Sequence, residues 1–124
     1  YSKLQEDKPG ETSAKIKERV NIARKIQRER YKEHNLYSNA ELTPKLMEKY
    51  CKLDEMGQKI LQNAFEKLGL SARAYGRILK VARTIADLEE KEHISEIHVS
   101  EAIGYRMIDE QFIISHIFNY FNLI

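Results

Sequence analysis

Two arginines one helical turn apart are this chain's clearest candidates for binding an anion. Arg73 and Arg77 follow Ser71, whose hydroxyl suits the N-cap of a helix. Cations are disfavoured near the positive end of a helix dipole, but exposed N–H groups and guanidinium groups both attract phosphate. The spacing therefore predicts an anion site at this helix start. The alternatives are that Arg73 is a surface residue that only adds solubility and that Arg77 pairs with a nearby carboxylate.

The helix that positions these arginines is predicted to be the central one. Gly69 suits the end of a preceding helix, just before the serine cap. Two adjacent apolar stripes at helical spacing indicate packing on more than one side. They comprise Ala74, Ile78, Val81, Ile85 and Leu88, and beside them Tyr75, Leu79, Ala82 and Ala86. The remaining face carries Arg73, Arg77, Lys80 and Thr84.

Helical signals also cover most of the remaining chain, and no strand pattern competes with them. Caps and apolar periodicity predict helices over about 12–34, 43–51, 54–68, 71–88 and 99–108. In the third of these, the apolar stripe runs from Met56 to Leu68 and indicates packing against the central helix. We therefore expect an all-α fold, a compact helical bundle of about five helices.

The length of 124 residues suits one domain. Residues 1–11 are polar, contain a Pro-Gly pair and read as a linker or arm, so the helical domain is expected to cover 12–109. Residues 110–124 form an apolar extension without charge after Glu110, which is too short to span a membrane. This extension either folds back on the domain as a helix or makes a contact between chains.

The first long helix carries the strongest concentration of positive charge. Residues 12–35 contain eight Lys or Arg against three Asp or Glu, although the whole chain has a net charge of only +2. Arg24, Lys25 and Arg28 lie mostly outside the apolar stripe. They form either a solvated basic face or a contact surface for DNA or an acidic partner subunit. The sequence shows no interleaved exposed aromatic residue that would support base stacking.

The sequence contains no nucleotide-hydrolysing machinery of its own. It has neither a GxxxxGK[ST] loop nor a carboxylate following a strand, so this chain alone is not expected to hydrolyse ATP. The four histidines lack zinc-site spacing, and we expect no metal site. A single cysteine, Cys51, fits a reducing compartment and a place in the core. With no signal peptide pattern and no membrane-spanning run, we expect a cytoplasmic protein without a membrane partner.

Four segments together resemble the C-terminal lid of AAA+ ATPases of the magnesium-chelatase-like group, in particular the ComM family of competence proteins. They are LSARAYGRILKVARTIADLE (70–89), GETSAKIKERVNIARKIQRERY (10–31), CKLDE (51–55) and HVSEAIGYRMID (98–109). In that group a Ser/Thr-x-Arg at the start of a lid helix supplies the sensor-2 arginine, which touches the γ-phosphate of ATP. The resemblance thus implies that Arg73 is the sensor. Arg77, one turn further along the helix, is expected to reinforce it in sensing the nucleotide. The apolar extension after residue 109 departs from the family pattern.

The resemblance also implies a larger protein that binds ATP and Mg²⁺ in a nucleotide-binding core upstream of Tyr1. No cofactor is expected to bind tightly to this segment alone. Its expected partners are that core and the neighbouring subunits of a ring, a hexamer in the family, which acts on DNA in branch migration during natural transformation. Two other interpretations stay open. One is the lid of a true magnesium-chelatase ATPase subunit. The other is a stand-alone helical module that binds DNA or protein.

Overall fold

The computed structural model describes residues 13–105, and helices account for most of them. The α-helices are α1 (Ser13–Tyr31), α2 (Pro44–Tyr50), α3 (Glu55–Leu68), α4 (Ala72–Leu88) and α5, which is helical over 96–105. Two 3₁₀ turns, Lys32–His34 and Asn39–Glu41, connect α1 to α2. Within the described range, the one strand-like pairing is an isolated parallel bridge between Leu53 and Ile94. The predicted all-α bundle is confirmed.

Local capping chemistry fixes where three of the helices begin. The side chains of Thr43, Asp54 and Ser71 each accept a hydrogen bond from the backbone N–H three residues on, at 3.3, 2.7 and 3.1 Å. Pro44 occupies the first turn of α2, where its missing N–H costs nothing. Gly69 ends α3 in the left-handed conformation, at φ 63°. All of these boundaries follow the predictions from sequence.

Helix α4 lies at the centre of the bundle, as its two apolar stripes predict. Nearly every residue from Ile78 to Asp87 is buried or half-buried, and both α1 and α2 pack against this helix. The core combines α4 with residues from every other helix. Its fully buried large members include Val20, Tyr31, Leu61, Val81 and Val99.

Some side chains lie on a different side of their helix from the predicted one. Met56 and Leu68 of α3 are 53% and 37% exposed, and the fully buried residues of that helix are Gly57 and Leu61. Thr84 was expected on the polar face of α4 and is 2% exposed. It is buried because the Asn39–Glu41 turn covers this part of α4.

The predicted arm at 1–11 and the predicted extension at 110–124 lie outside the described residues, as does the predicted end of the last helix. Helix α5 begins at residue 96, earlier than the predicted start near 99. Among the described helices, none combines the length and the apolar character needed to cross a membrane.

Candidate functional site

Arg73 lies in the first turn of α4, and its side chain is exposed. Leu70 is buried just before it, and Ser71 caps the helix through Ala74, so the backbone that carries Arg73 is fixed on both sides. No other described residue forms a hydrogen bond or ion pair with Arg73. Ser71 already accepts the N–H groups of Ala74 and Tyr75, so the N–H groups of Ala72 and Arg73 are the ones left without a partner in the helix. The predicted anion site is therefore sterically open, with a guanidinium beside the positive end of a helix dipole.

At the other end of α4, a buried carboxylate joins the helix to α1. The Asp87 side chain is fully buried and accepts hydrogen bonds from Arg30 Nη2 at 2.6 Å and from Arg30 Nη1 at 3.1 Å. Arg83 Nη2 lies 3.1 Å from the same carboxylate and also donates to the carbonyl of Lys91 at 2.8 Å. One anion thus holds two arginines from two helices, and one of these arginines holds the loop that follows α4.

Asn39 adds the 3₁₀ turn to this cluster. Its amide Nδ2 donates to Asp87 Oδ2 and to Thr84 Oγ1, both at 3.0 Å. Its Oδ1 accepts the Tyr31 hydroxyl at 2.5 Å, and its backbone N–H donates to Gln27 Oε1 at 2.9 Å. The cluster therefore satisfies most of the polar groups that the meeting of α1, α4 and the turn would otherwise bury unpaired. Sequence reasoning missed it entirely.

Three ionisable side chains in and near this cluster have shifted pKa values. Burial disfavours the charged form of Arg30, but the hydrogen bonds and charge of Asp87 outweigh this and raise the pKa of Arg30. Burial raises the pKa of Tyr31 to about 12, although Arg30 opposes the shift. Burial likewise raises the pKa of Cys51 to about 11, so its thiol is protonated near neutral pH. The predicted core position of Cys51 is confirmed.

The anion site and the buried cluster lie on one stripe of α4. Arg73, Arg77, Lys80, Thr84 and Asp87 recur at helical spacing, and they pass from exposed to half-buried to buried along the helix. Fourteen residues at 1.5 Å each put Arg73 about 21 Å along the helix axis from Asp87. Helix α4 is therefore a rod with an exposed cation at one end and a fixed attachment to α1 at the other.

The structure separates the three predicted basic residues of α1. Lys25 and Arg28 line a surface cleft of about 390 Å³ together with Lys32 and Tyr37, whereas Arg24 is half-buried and is not part of its wall. Tyr37 is 67% exposed. An exposed aromatic residue therefore lies beside the basic face, although none is interleaved with the basic residues along α1. The aromatic residue lies beyond the helix, where a periodicity search along α1 does not find it.

A Ser-His-Glu arrangement at the start of α5 resembles a catalytic triad but caps a helix. His98 Nδ1 accepts the backbone N–H of Ser95 at 3.0 Å and lies 3.2 Å from its hydroxyl. Because Nδ1 accepts, Nε2 carries the proton and donates to Glu89 at 2.9 Å. The histidine takes the role of the glutamate in a capping box, which explains why α5 begins before residue 99. Over residues 13–105, no three His, Cys, Asp or Glu side chains are grouped so that they could hold a metal ion.

The chain matches a known protein family over most of its length. A family model described as magnesium chelatase, subunit ChlI C-terminal, matches residues 10–106, and the chain belongs to this family. The match includes both the Arg73 helix start and the buried cluster. The predicted resemblance is thereby confirmed.

The chain is also similar in sequence to individual proteins. The chain is 50% identical over 97 residues to competence protein ComM of Haemophilus influenzae, a match that covers 78% of this chain and 18% of that protein. It is 45% identical over 100 residues to the uncharacterized protein YifB of Salmonella typhimurium, covering 81% and 19% of the two chains. The chain thus spans about a fifth of the length of these relatives. No solved structure matches it significantly.

Proposed function

We propose that this domain is the lid of a ComM-type AAA+ ATPase and that Arg73 is its sensor arginine. The observation that carries the proposal is the position of Arg73. It is exposed and unpaired among the described residues, at the capped start of the central helix, within the segment that matches the family. The family description names a chelatase subunit, but the 50% identity to a competence protein favours the ComM type.

In this proposal the residues of the chain fit a phosphate group better than a metal ion. A guanidinium can donate two parallel hydrogen bonds to phosphate oxygens, and the adjacent helix N–H groups favour negative charge. ATP and Mg²⁺, held by an ATPase core, would supply the γ-phosphate. Arg73 would stabilise its charge and respond to the loss of that charge after hydrolysis. Arg77, half-buried one turn further, would support Arg73 from the same face.

The ion pair of Asp87 with Arg30 would couple a movement of the sensor helix to the rest of the domain. A force on Arg73 acts on a helix whose far end is joined to α1 by a buried two-point ion pair. Helix α4 therefore cannot shift without moving α1 and the Asn39–Glu41 turn with it. In a ring of subunits that acts on DNA, such a lid would pass the nucleotide state to its surface and to a neighbouring subunit. Branch migration in natural transformation is the activity we propose for the whole ring.

The test is ATP hydrolysis by a full-length protein that carries this domain. We expect Arg73→Ala to lower kcat by about 100-fold, as when one preorganised donor to a developing anion is lost. The domain should still fold, because the side chain is exposed and forms no hydrogen bond or ion pair with a described residue. Lys67→Ala is the matched control, since Lys67 is an exposed cation beside the same turn. Turnover by Arg73→Ala equal to that of the control would refute the sensor role.

A further inference from the structure

The cleft at the end of α1 combines exposed positive charges with an exposed tyrosine ring. Lys25, Arg28 and Lys32 follow one face of α1 and its 3₁₀ extension over about 10 Å of helix axis. Tyr37, which follows the turn at Asn35, also lines this cleft. We infer that this cleft binds single-stranded nucleic acid. This inference rests on the proposed function, because it specifies which form of DNA the domain contacts. It involves neither Arg73 nor ATP.

The charges of the cleft are available to a ligand. No described residue forms a hydrogen bond or ion pair with Lys25 or Arg28, and both are exposed. Lys32 contacts Glu29 at 2.8 Å, but both side chains of this pair are more than half exposed. A solvated pair of this kind contributes little to stability and can exchange its carboxylate for a phosphate. The cleft therefore presents a net positive charge to a polyanion.

The tyrosine is held in place although its ring is exposed. The backbone N–H of Tyr37 donates to Glu41 Oε1 at 3.0 Å, and the preceding residue, Leu36, packs against the core. Asn35 turns the chain in the left-handed conformation at φ 58°, which sends it away from the helix axis. No described aromatic ring contacts the Tyr37 ring. A large exposed ring on a fixed turn beside cations is the arrangement on which unpaired bases stack.

The combination of basic side chains with an exposed tyrosine ring favours single-stranded nucleic acid over other polyanions. In a duplex the bases are already stacked inside, so the ring would have no base to contact. An acidic polypeptide would engage the lysines and the arginine but would leave the ring without a specific role. A single strand uses both, since its phosphates follow the basic face and its exposed bases can stack on Tyr37. The cleft is at the Asp87 end of α4 and not at the Arg73 end, because Arg30, between Arg28 and Lys32, contacts Asp87.

The experiment is fluorescence anisotropy of a labelled 20-nucleotide oligo-dT with the 124-residue chain, at several salt concentrations. We expect Tyr37→Ala to weaken binding about 10-fold through the lost stacking, and Tyr37→Phe to bind like the wild type. The double substitution of Lys25 and Arg28 by Gln should reduce the slope of log K against log salt by about 1.4. Lys17→Gln, an exposed lysine of α1 outside the cleft, should leave both quantities unchanged.

Three outcomes would overturn the inference. Equal affinity for a duplex of the same length would remove the role of unpaired bases. Unchanged binding by Tyr37→Ala together with efficient competition by poly-glutamate would make the cleft an acidic-protein surface. If the double variant at Lys25 and Arg28 binds with the same affinity and salt slope as Lys17→Gln, the nucleic acid binds outside this cleft. The Arg73→Ala protein should bind oligo-dT normally, so a failed sensor and a failed cleft give different results.

Discussion

Removing the negative charge of Asp87 should strongly lower the stability of the fold. Its carboxylate is fully buried and accepts hydrogen bonds from Arg30 and Asn39, with Arg83 at ion-pair distance. Asp87→Asn keeps the shape of the side chain but removes its charge. Arg30 is 17% exposed at its side chain and can regain water, whereas Arg83 is 5% exposed and cannot. The variant therefore leaves at least one buried cation without its anion.

Breaking a buried ion pair from one side costs about 3–5 kcal/mol. The free energy of unfolding of a natural domain is about 5–15 kcal/mol, so the loss takes a large part of it. For a domain of roughly 100 residues, each kcal/mol lowers Tm by about 4–8 °C. We therefore expect Asp87→Asn to lower Tm by more than about 10 °C.

Thermal and urea unfolding followed by circular dichroism would measure this loss. Glu48→Gln is the matched control, because it removes an exposed carboxylate that forms no hydrogen bond or ion pair within the described residues. It should leave Tm within about 2 °C of the wild type, as is usual for surface substitutions. A destabilisation of Asp87→Asn below about 1 kcal/mol would show that the arginines find other partners. The buried cluster would then not hold α1 to α4.

Two further predictions concern single contacts and pH. Ser71→Ala should lower the free energy of unfolding by about 1 kcal/mol through the lost cap, while Ser71→Asp retains it; equal stabilities in urea unfolding would contradict the cap. Because the pKa of Cys51 is raised to about 11 by burial, the unfolded state releases its proton first as pH rises above about 9. Stability should then fall with pH by up to about 1.4 kcal/mol per unit for this group. Cys51→Ala should reduce the slope in urea titrations between pH 9 and 11 and leave the part due to Tyr31, whose pKa is raised to about 12.

The starts of α2, α3 and α4 were predictable from the sequence because the signals that set them are local. Thr43, Asp54 and Ser71 each bond to a backbone group three residues away, and Gly69 adopts its left-handed conformation whatever surrounds it. The central position of α4 was predictable for a related reason, since two apolar stripes on one helix require neighbours on two sides. The exposed Arg73 follows directly from its place in the first turn of that helix.

The contents of the interface between α1 and α4 were not predictable in this way. Arg83 and Asp87 stand four residues apart in an otherwise apolar part of α4, and a pair at this spacing is more common on a solvated helix surface. Its burial depends on Arg30 and Asn39, which are 57 and 48 residues away from Asp87 in the chain. Asn39 looked like an ordinary turn residue because nothing near it in sequence shows what its side chain bonds.

The same division applies to the two candidate sites. The all-α fold, the caps and the arginine at the start of the central helix could be predicted from the sequence, because each depends on neighbours within a few residues. The contact of Asp87 with α1, and the position of Tyr37 beside Lys25 and Arg28, are visible only once the chain is folded. Both depend on how the turn after α1 reverses the chain, and that path is set by the packing of distant residues in the core.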